Sequence, residues 1–257
     1  MLRYTNLVFL VTIVLIGLST VAVNSGPAQK LPKHYKKCKR SDPDLNNCLK
    51  GAIKGILPEL VKGIPSLGVW PLDPLSIQNL QIKQGSGPVS IDLTFININM
   101  TGIRSLDLKT VDANWDKYSL DSTGDLSEPI ILEGDYKIDG KVLILPISGT
   151  GKCKLTLDDV TASMGLRGKQ IMKENKIHMD VQKFDFRFNT TRLHLYFGNL
   201  FNGDKALGDN MNTFLNQNWN DILKELKPAI EEALGEAFRE ISNRVFLKVP
   251  FNQIVLD

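Results

Sequence analysis

The chain has 257 residues, 42% hydrophobic and 23% charged, which suits one large globular domain or two small ones and excludes a disordered chain. Lys and Arg number 31 against 28 Asp and Glu, a formal charge of +3, so no basic excess argues for nucleic acid. Three cysteines and three histidines (His34, His178 and His194) leave little for a disulfide-dense miniprotein, a metal centre or imidazole catalysis.

Residues 1–25 read as a secretory signal peptide. Arg3 supplies the positive start, Leu7 to Ile16 an apolar run, and Val21 to Ser25 small residues for cleavage before Gly26. The apolar run is too short to span a bilayer, which takes about 20 residues. The expected domain is therefore 26–257, secreted and extracellular, with no stable membrane insertion. In that oxidising setting Cys38 and Cys48, close in sequence, read as a disulfide. Cys153 is left over and reads as a buried thiol or, less simply, an intermolecular bridge. Residues 26–37, with Pro27, Pro32 and four lysines, read as a basic solvated lead-in.

The first helix is predicted from Asp42, which can cap free N–H groups, with Pro43 suited to the first position. Leu45, Leu49, Ile53, Ile56, Leu57, Leu60, Val61 and Ile64 form one apolar stripe. Pro58 predicts a kink or break, and Gly63 with Pro65 the end.

From about Ser76 to Phe201 the period becomes two. Val89, Ile91, Leu93 and Phe95 share one parity; Ile96, Ile98 and Met100 share the other. That switch predicts a β-bulge or apolar side chains on both faces. The second parity, taken inward, leaves Asn97 and Asn99 outside. Val142 to Ile147 reads as a strand apolar on both faces. Cys153, Leu155 and Leu157 alternate, as do Ile177, Met179 and Val181, which places His178 outward. His194, between Leu193 and Leu195, reads as outward too. Phe184, Phe186 and Phe188 leave Asn189 facing out. Two glycosylation sequons, Asn99-Met100-Thr101 and Asn189-Thr190-Thr191, thus fall on outward positions. Short strands in sequence order favour an antiparallel meander.

One long helix closes the chain. Asp209 is the expected cap, and an apolar stripe runs from Met211 through Phe214, Ile222 and Leu226 to Val245. Asn216, Asn220, Lys224, Lys227, Glu231 and Arg239 occupy the other side. An unbroken helix to Leu247 would be about 58 Å long, bent at Pro228. Its stripe must bury against the strands. The expected fold is α+β: a single elongated domain whose strongly curved antiparallel sheet wraps the C-terminal helix.

Chemistry is thin. There is no G-x-S-x-G elbow and no H-E-x-x-H pair, and Gly149-Thr150-Gly151-Lys152 lacks the rest of a P-loop. Asp158-Asp159 reads as a turn. No catalytic residue, metal ligand or cofactor is expected. The apolar surplus has two readings: a well-packed core, or an unclosed one leaving an apolar tunnel between sheet and helix. Ile98, Phe184, Phe186, Phe214, Ile222 and Leu226 are the candidate ligand contacts, and Tyr118, Tyr136 and Tyr196 candidate polar anchors.

Three segments carry a family resemblance: Cys38 to Leu49 (CKRSDPDLNNCL) with Gly63 to Gly68 and Asp73-Pro74-Leu75; Gly149 to Cys153; and Asn218-Trp219 with Leu226-Lys227-Pro228, Phe246 and Val249-Pro250-Phe251. Together they resemble the insect takeout and haemolymph juvenile-hormone-binding protein family over the whole mature chain. The resemblance implies a long helix wrapped by a curved sheet, an internal tunnel for a lipophilic ligand and the Cys38–Cys48 bridge. The hormone-carrier branch has a second disulfide; a single leftover cysteine fits the takeout branch better. The expected function is a secreted, monomeric carrier of a juvenile-hormone-like terpenoid, fatty acid or similar molecule. A link to circadian, feeding or hormone-regulated behaviour is implied by resemblance alone. The first helix is the expected tunnel mouth. The competing readings are a protein acting on membrane or microbial-lipid surfaces, a ligand-free signalling glycoprotein and, least favoured, a secreted hydrolase.

Overall fold

Alternating apolar residues make two antiparallel sheets rather than one. The structure, a computed structural model, describes residue 31 and residues 35–85 and 87–257; the expected signal peptide and most of the basic lead-in lie outside the described residues. The elements are β1 (Cys38–Lys39), α1 (Leu45–Lys62), β2 (Leu75–Gln84), β3 (Val89–Thr101), β4 (Leu106–Asn114), β5 (Ser119–Leu126), β6 (Ile130–Val142), β7 (Leu145–Asp158), β8 (Thr161–Lys173), β9 (Lys176–Asn189) and β10 (Arg192–Phe197). They continue with α2 (Lys205–Gln217), α3 (Trp219–Phe246), α4 (Phe251–Ile254) and β11 (Val255–Leu256). One sheet has the order β10-β7-β6-β3-β2, the other β4-β5-β8-β9, and β1 pairs in parallel with β11.

The single curved sheet is replaced by two because the chain turns corners. At β3–β4, β5–β6, β7–β8 and β9–β10 it passes from one sheet to the other within two to four residues. Side chains hold these corners. Asp73 accepts from the N–H groups of Gly102 (3.0 Å) and Arg104 (2.8 Å), and the Arg104 guanidinium donates to Glu128 at 2.7 Å. Gly102 has φ +102°, and a Cβ there would lie 2.3 Å from the Pro129 carbonyl oxygen, so only glycine fits.

Strand parity is mostly as expected, with local corrections. The bulge in β3 falls at Asn97, in left-handed conformation (φ +49°). It leaves Ile96 outside with Asn97 and Asn99, while Ile98 and Met100 point in. Val142 to Ile147 is not one strand. Val142 pairs with Leu145, so Leu143 and Ile144 form a hairpin tip, Ile144 85% exposed. His178 is buried and Ile177 exposed, the reverse of the alternation. The pairing of β8 with β9 shifts register beside Gly168, where Gln182 has no residue opposite it on β8.

The helices differ in extent. α1 starts at Leu45, because Asp42 accepts from the Asp44 N–H (2.8 Å) in a turn just outside it. It runs on through Pro58. The long C-terminal helix is two. Asp204, not Asp209, caps α2 by accepting from the Leu207 N–H at 3.0 Å. The break falls at Asn218, whose side-chain amide donates to the Phe214 carbonyl at 2.8 Å alongside its own backbone N–H at 3.0 Å. Pro228 sits inside α3 without ending it.

Helix side chains close three of the four edges of the two large sheets. On α2, Asn216 exchanges both backbone hydrogen bonds with Leu195 of β10 (3.0 and 2.6 Å), and Asn212 does the same with Phe197 (2.8 and 2.9 Å). On α3, Asn243 pairs with Val181 of β9, and Glu231 accepts from the Phe188 N–H at 3.2 Å. On α1, Asn46 accepts from the Ala113 N–H (3.0 Å) and Lys50 donates to the Lys109 carbonyl (2.8 Å) of β4. Asn216 and Glu231 therefore do not face solvent as the helical pattern suggested. An edge strand must place its backbone groups somewhere, and here the helices receive them.

Candidate ligand-binding cavity

The inner faces of both sheets, with α1 and α3, enclose a cavity of about 500 Å³. From the five-stranded sheet come residues such as Leu80, Ile91, Phe95, Ile138, Leu155 and Leu195, and from the four-stranded sheet Leu108, Leu120, Met164 and Leu166. Leu49, Ile53, Leu57 and Leu60 of α1 line one side. Ile222, Leu226, Ile230, Leu234 and Phe238 of α3 line the other. The α3 positions follow a helical stripe, which is why one face of α3 supplies them all.

Of the residues predicted from sequence, Phe184, Phe186, Ile222 and Leu226 are on the wall. Phe186 stacks on Phe188 at 6.0 Å and meets Phe238 edge-on at 5.1 Å, so β9 and α3 share an aromatic seam. Two predicted residues are elsewhere. Ile98 has no exposed surface and sits in the core, while Phe95 and Met100 of the same strand reach the cavity. Phe214 is off the inward row of α2, where Leu215 lines the cavity.

The candidate tyrosines do not line it. Tyr118 donates to Gln170 at 2.8 Å; Tyr136 is wholly buried and donates to the Gly198 carbonyl at 2.8 Å; Tyr196 is exposed. Burial pushes the Tyr136 phenol up to about 12. Tyr35 takes the place at the wall, and burial raises its phenol as well. Sequence reasoning missed it because it precedes every regular element. The other polar side chains on the lining are Trp115, Ser122 and Ser242; no Lys, Arg, His, Asp or Glu is among them.

The remaining candidates lie outside the cavity. Asn99 and Asn189 are exposed, with Asn189 accepting from Lys227 at 2.7 Å. His194 faces Asp158 at 3.4 Å on the surface. Cys38 and Cys48 are bonded, Cα atoms 5.9 Å apart, which ties α1 to β1. Cys153 is free and buried, its thiol pushed up to about 11 by burial. Among the described residues no helix is long and apolar enough to cross a membrane, and no cluster of three or more His, Cys, Asp or Glu stands ready for a metal ion.

The sequence profile of the haemolymph juvenile hormone binding protein (JHBP) family matches residues 13–256. This chain belongs to the JHBP family. Among JHBP-like relatives is the circadian clock-controlled protein daywake of Drosophila melanogaster, 25% identical over 247 residues, 92% of each chain. The daywake of Drosophila yakuba is 24% identical over 246 residues, again 92% of each. A putative beta-carotene-binding protein of Schistocerca gregaria is 18% identical over 216 residues, 83% of this chain and 85% of that one. Among solved structures, Takeout 1 of Epiphyas postvittana superposes with a TM-score of 0.71 at 27% identity, covering 86% of this chain and 100% of that one. The α+β fold, with its C-terminal helix packed on antiparallel sheet, is thus that of the JHBP and takeout proteins.

Proposed function

We propose that the protein is a secreted carrier that holds one small lipophilic molecule in this cavity, a terpenoid, fatty acid or similar compound. The observation that carries the reading is the cavity itself: about 500 Å³ of space with an almost wholly apolar lining. A void of that size and polarity loses dispersion contacts on every side when empty, and apolar cavities admit apolar guests. Burying roughly 400 Å² of ligand surface yields about 10 kcal/mol gross. Lost motion then subtracts several kcal/mol, leaving a micromolar to nanomolar affinity.

Export is supported by the apolar leader and the Cys38–Cys48 bridge. The exposed Asn99 and Asn189 are the glycan sites of the secreted chain. The relatives called daywake are clock-controlled, and a clock-linked role here is part of the same proposal. The reaction class is binding, not turnover, and the acting species is the monomer.

The test is mass spectrometry of an organic extract of the purified chain, paired with uptake of a hydrophobic probe after delipidation. A stoichiometric lipophile, or saturable uptake, supports a carrier. An empty extract together with no uptake contradicts it.

A further inference from the structure

Three of the exposed large apolar side chains, Trp70, Met172 and Ile177, stand around the C-terminal end of α3. Trp70, in the loop between α1 and β2, is 56% exposed. Met172 is 63% exposed and pairs with Ile177 where β8 turns into β9. That turn is tight, with Glu174 and Asn175 both in left-handed conformation, so the hairpin holds the two residues out at a fixed tip. The end of α3 ties loop and hairpin together. Lys173 donates to the Leu247 carbonyl at 3.4 Å, Lys248 to the Leu67 carbonyl at 3.0 Å and Arg244 to the Gly68 carbonyl at 3.4 Å. The Arg244 guanidinium also lies over the Trp70 ring, 5.0 Å from its centroid.

The charge around these side chains is unbalanced. Lys173, Lys176, Arg244 and Lys248 have no carboxylate partner among the described residues. On β7, by contrast, Lys152 and Lys154 are paired with Asp135 and Glu133 of β6. Glu174 is the one acid between the two hairpin lysines, while Asp180 and Glu240 act on Arg239, further back along α3. The bonds of Lys173 and Lys248 go to backbone carbonyls, so each ammonium keeps its charge and further donors. A bare indole, thioether and isoleucine side chain gain free energy when they leave water for an apolar phase. A soluble polyanion would satisfy the cations and give the apolar side chains nothing. A bilayer with anionic head groups answers both.

We infer that this end of the protein docks on the surface of an anionic phospholipid bilayer, with Trp70, Met172 and Ile177 entering the head-group region and Lys173, Lys176, Arg244 and Lys248 held at its phosphates. The docking is peripheral and does not depend on the carrier reading. Phe246, on the cavity wall, lies between Arg244 and Lys248 in the chain, so a docked bilayer adjoins the part of the cavity that Phe246 lines.

Co-sedimentation of the full chain with phosphatidylcholine vesicles, with and without phosphatidylserine, tests it. Binding is expected on the mixed vesicles, falling as salt is raised, and little on phosphatidylcholine alone. Brominated acyl chains in the mixed vesicles should quench tryptophan fluorescence. Trp70→Phe should remove that quenching, because Trp115 is buried and Trp219 starts α3 at its far end. The charge variant Lys173→Gln, Lys176→Gln, Lys248→Gln should bind the mixed vesicles at least ~10-fold more weakly. The apolar variant Met172→Ser, Ile177→Ser should also weaken binding. All five side chains are exposed, so circular dichroism should be unchanged in both variants. Three results would each overturn the proposal: no binding to mixed vesicles, equal binding to the two vesicle types, or binding that both variants leave unchanged, which would place the contact at the basic lead-in instead. Binding to heparin without binding to vesicles would overturn it as well. Uptake of a hydrophobic probe is measured without vesicles, so the carrier reading stands or falls separately.

Discussion

Asn243 of α3 and Val181 of β9 exchange two hydrogen bonds: the Val181 N–H donates to the Asn243 carbonyl at 2.8 Å, and the Asn243 amide donates back to the Val181 carbonyl at 2.9 Å. A side-chain amide here replaces the next strand of the sheet. Val181 is fully buried, so its backbone has no water to turn to.

Replacing Asn243 by Ala should therefore cost about 1–3 kcal/mol for each orphaned group that stays dry. Denaturant unfolding will show it as a lower midpoint at unchanged slope. Asn243→Asp, which keeps the acceptor but loses the donor, should fall between. A midpoint unchanged in Asn243→Ala would show that the edge does not depend on this amide.

Two glycine substitutions should move stability in opposite directions. Gly51, in α1, has open space around its missing Cβ, so Gly51→Ala should stabilise by about 1 kcal/mol through helix propensity. Gly235 of α3 lies against β9, where a Cβ would be 2.5 Å from the Phe184 carbonyl oxygen. That clash outweighs the same propensity gain, and Gly235→Ala should lose about 1–3 kcal/mol. Thermal unfolding of both variants checks the signs.

Much of this was legible beforehand, and the failures have physical causes. Phe184, Phe186, Ile222 and Leu226 were placed rightly on the wall because alternation and helical spacing report which face is inward. Phe214 was misplaced because a stripe carries no phase across the break at Asn218. Ile96 went to the wrong side because the parity switch falls after it, at Asn97 in left-handed conformation, so Ile96 still follows the alternation of Val89 to Phe95 and faces out. Asn216 and Glu231 read as solvent-facing because a polar residue on a helix looks the same whether it meets water or a strand edge. Tyr35 and Trp115 could not be found by periodicity, since neither lies within a helix or strand.

Breaking the Cys38–Cys48 bridge should loosen α1. The closed loop has a sequence separation of 10, for which the chain-entropy relation gives about 3 kcal/mol. Cys48→Ser should show a loss of that order in denaturant unfolding. Hydrogen exchange should report faster opening of α1 before that of the central strands β6 and β7. Equal protection of α1 in both forms would refute the strap.

Acid should weaken the same helix. Lys109 and Lys54 both donate to Asp107 of β4, the second from α1 at 2.5 Å, and hold its carboxyl at about 2 against an ordinary 3.8. A carboxyl held below its unfolded value contributes stability that is complete above about 4 and vanishes as pH falls towards 2. Lys54→Gln should raise the Asp107 midpoint in a carboxyl NMR titration and make α1 less sensitive to acid. An unmoved midpoint would show that the α1 contact does not hold this carboxylate in solution.

The central claim is that the space between the sheets and α3 takes up a guest. Titrating the delipidated chain with N-phenylnaphthylamine tests it most directly, with Leu226→Trp as the partner variant, because the larger ring would project into the cavity. The account predicts saturable uptake of one probe per chain, displaced by a long-chain lipid and sharply reduced in Leu226→Trp at unchanged circular dichroism. Linear, non-saturating fluorescence, identical in the two proteins, would contradict it.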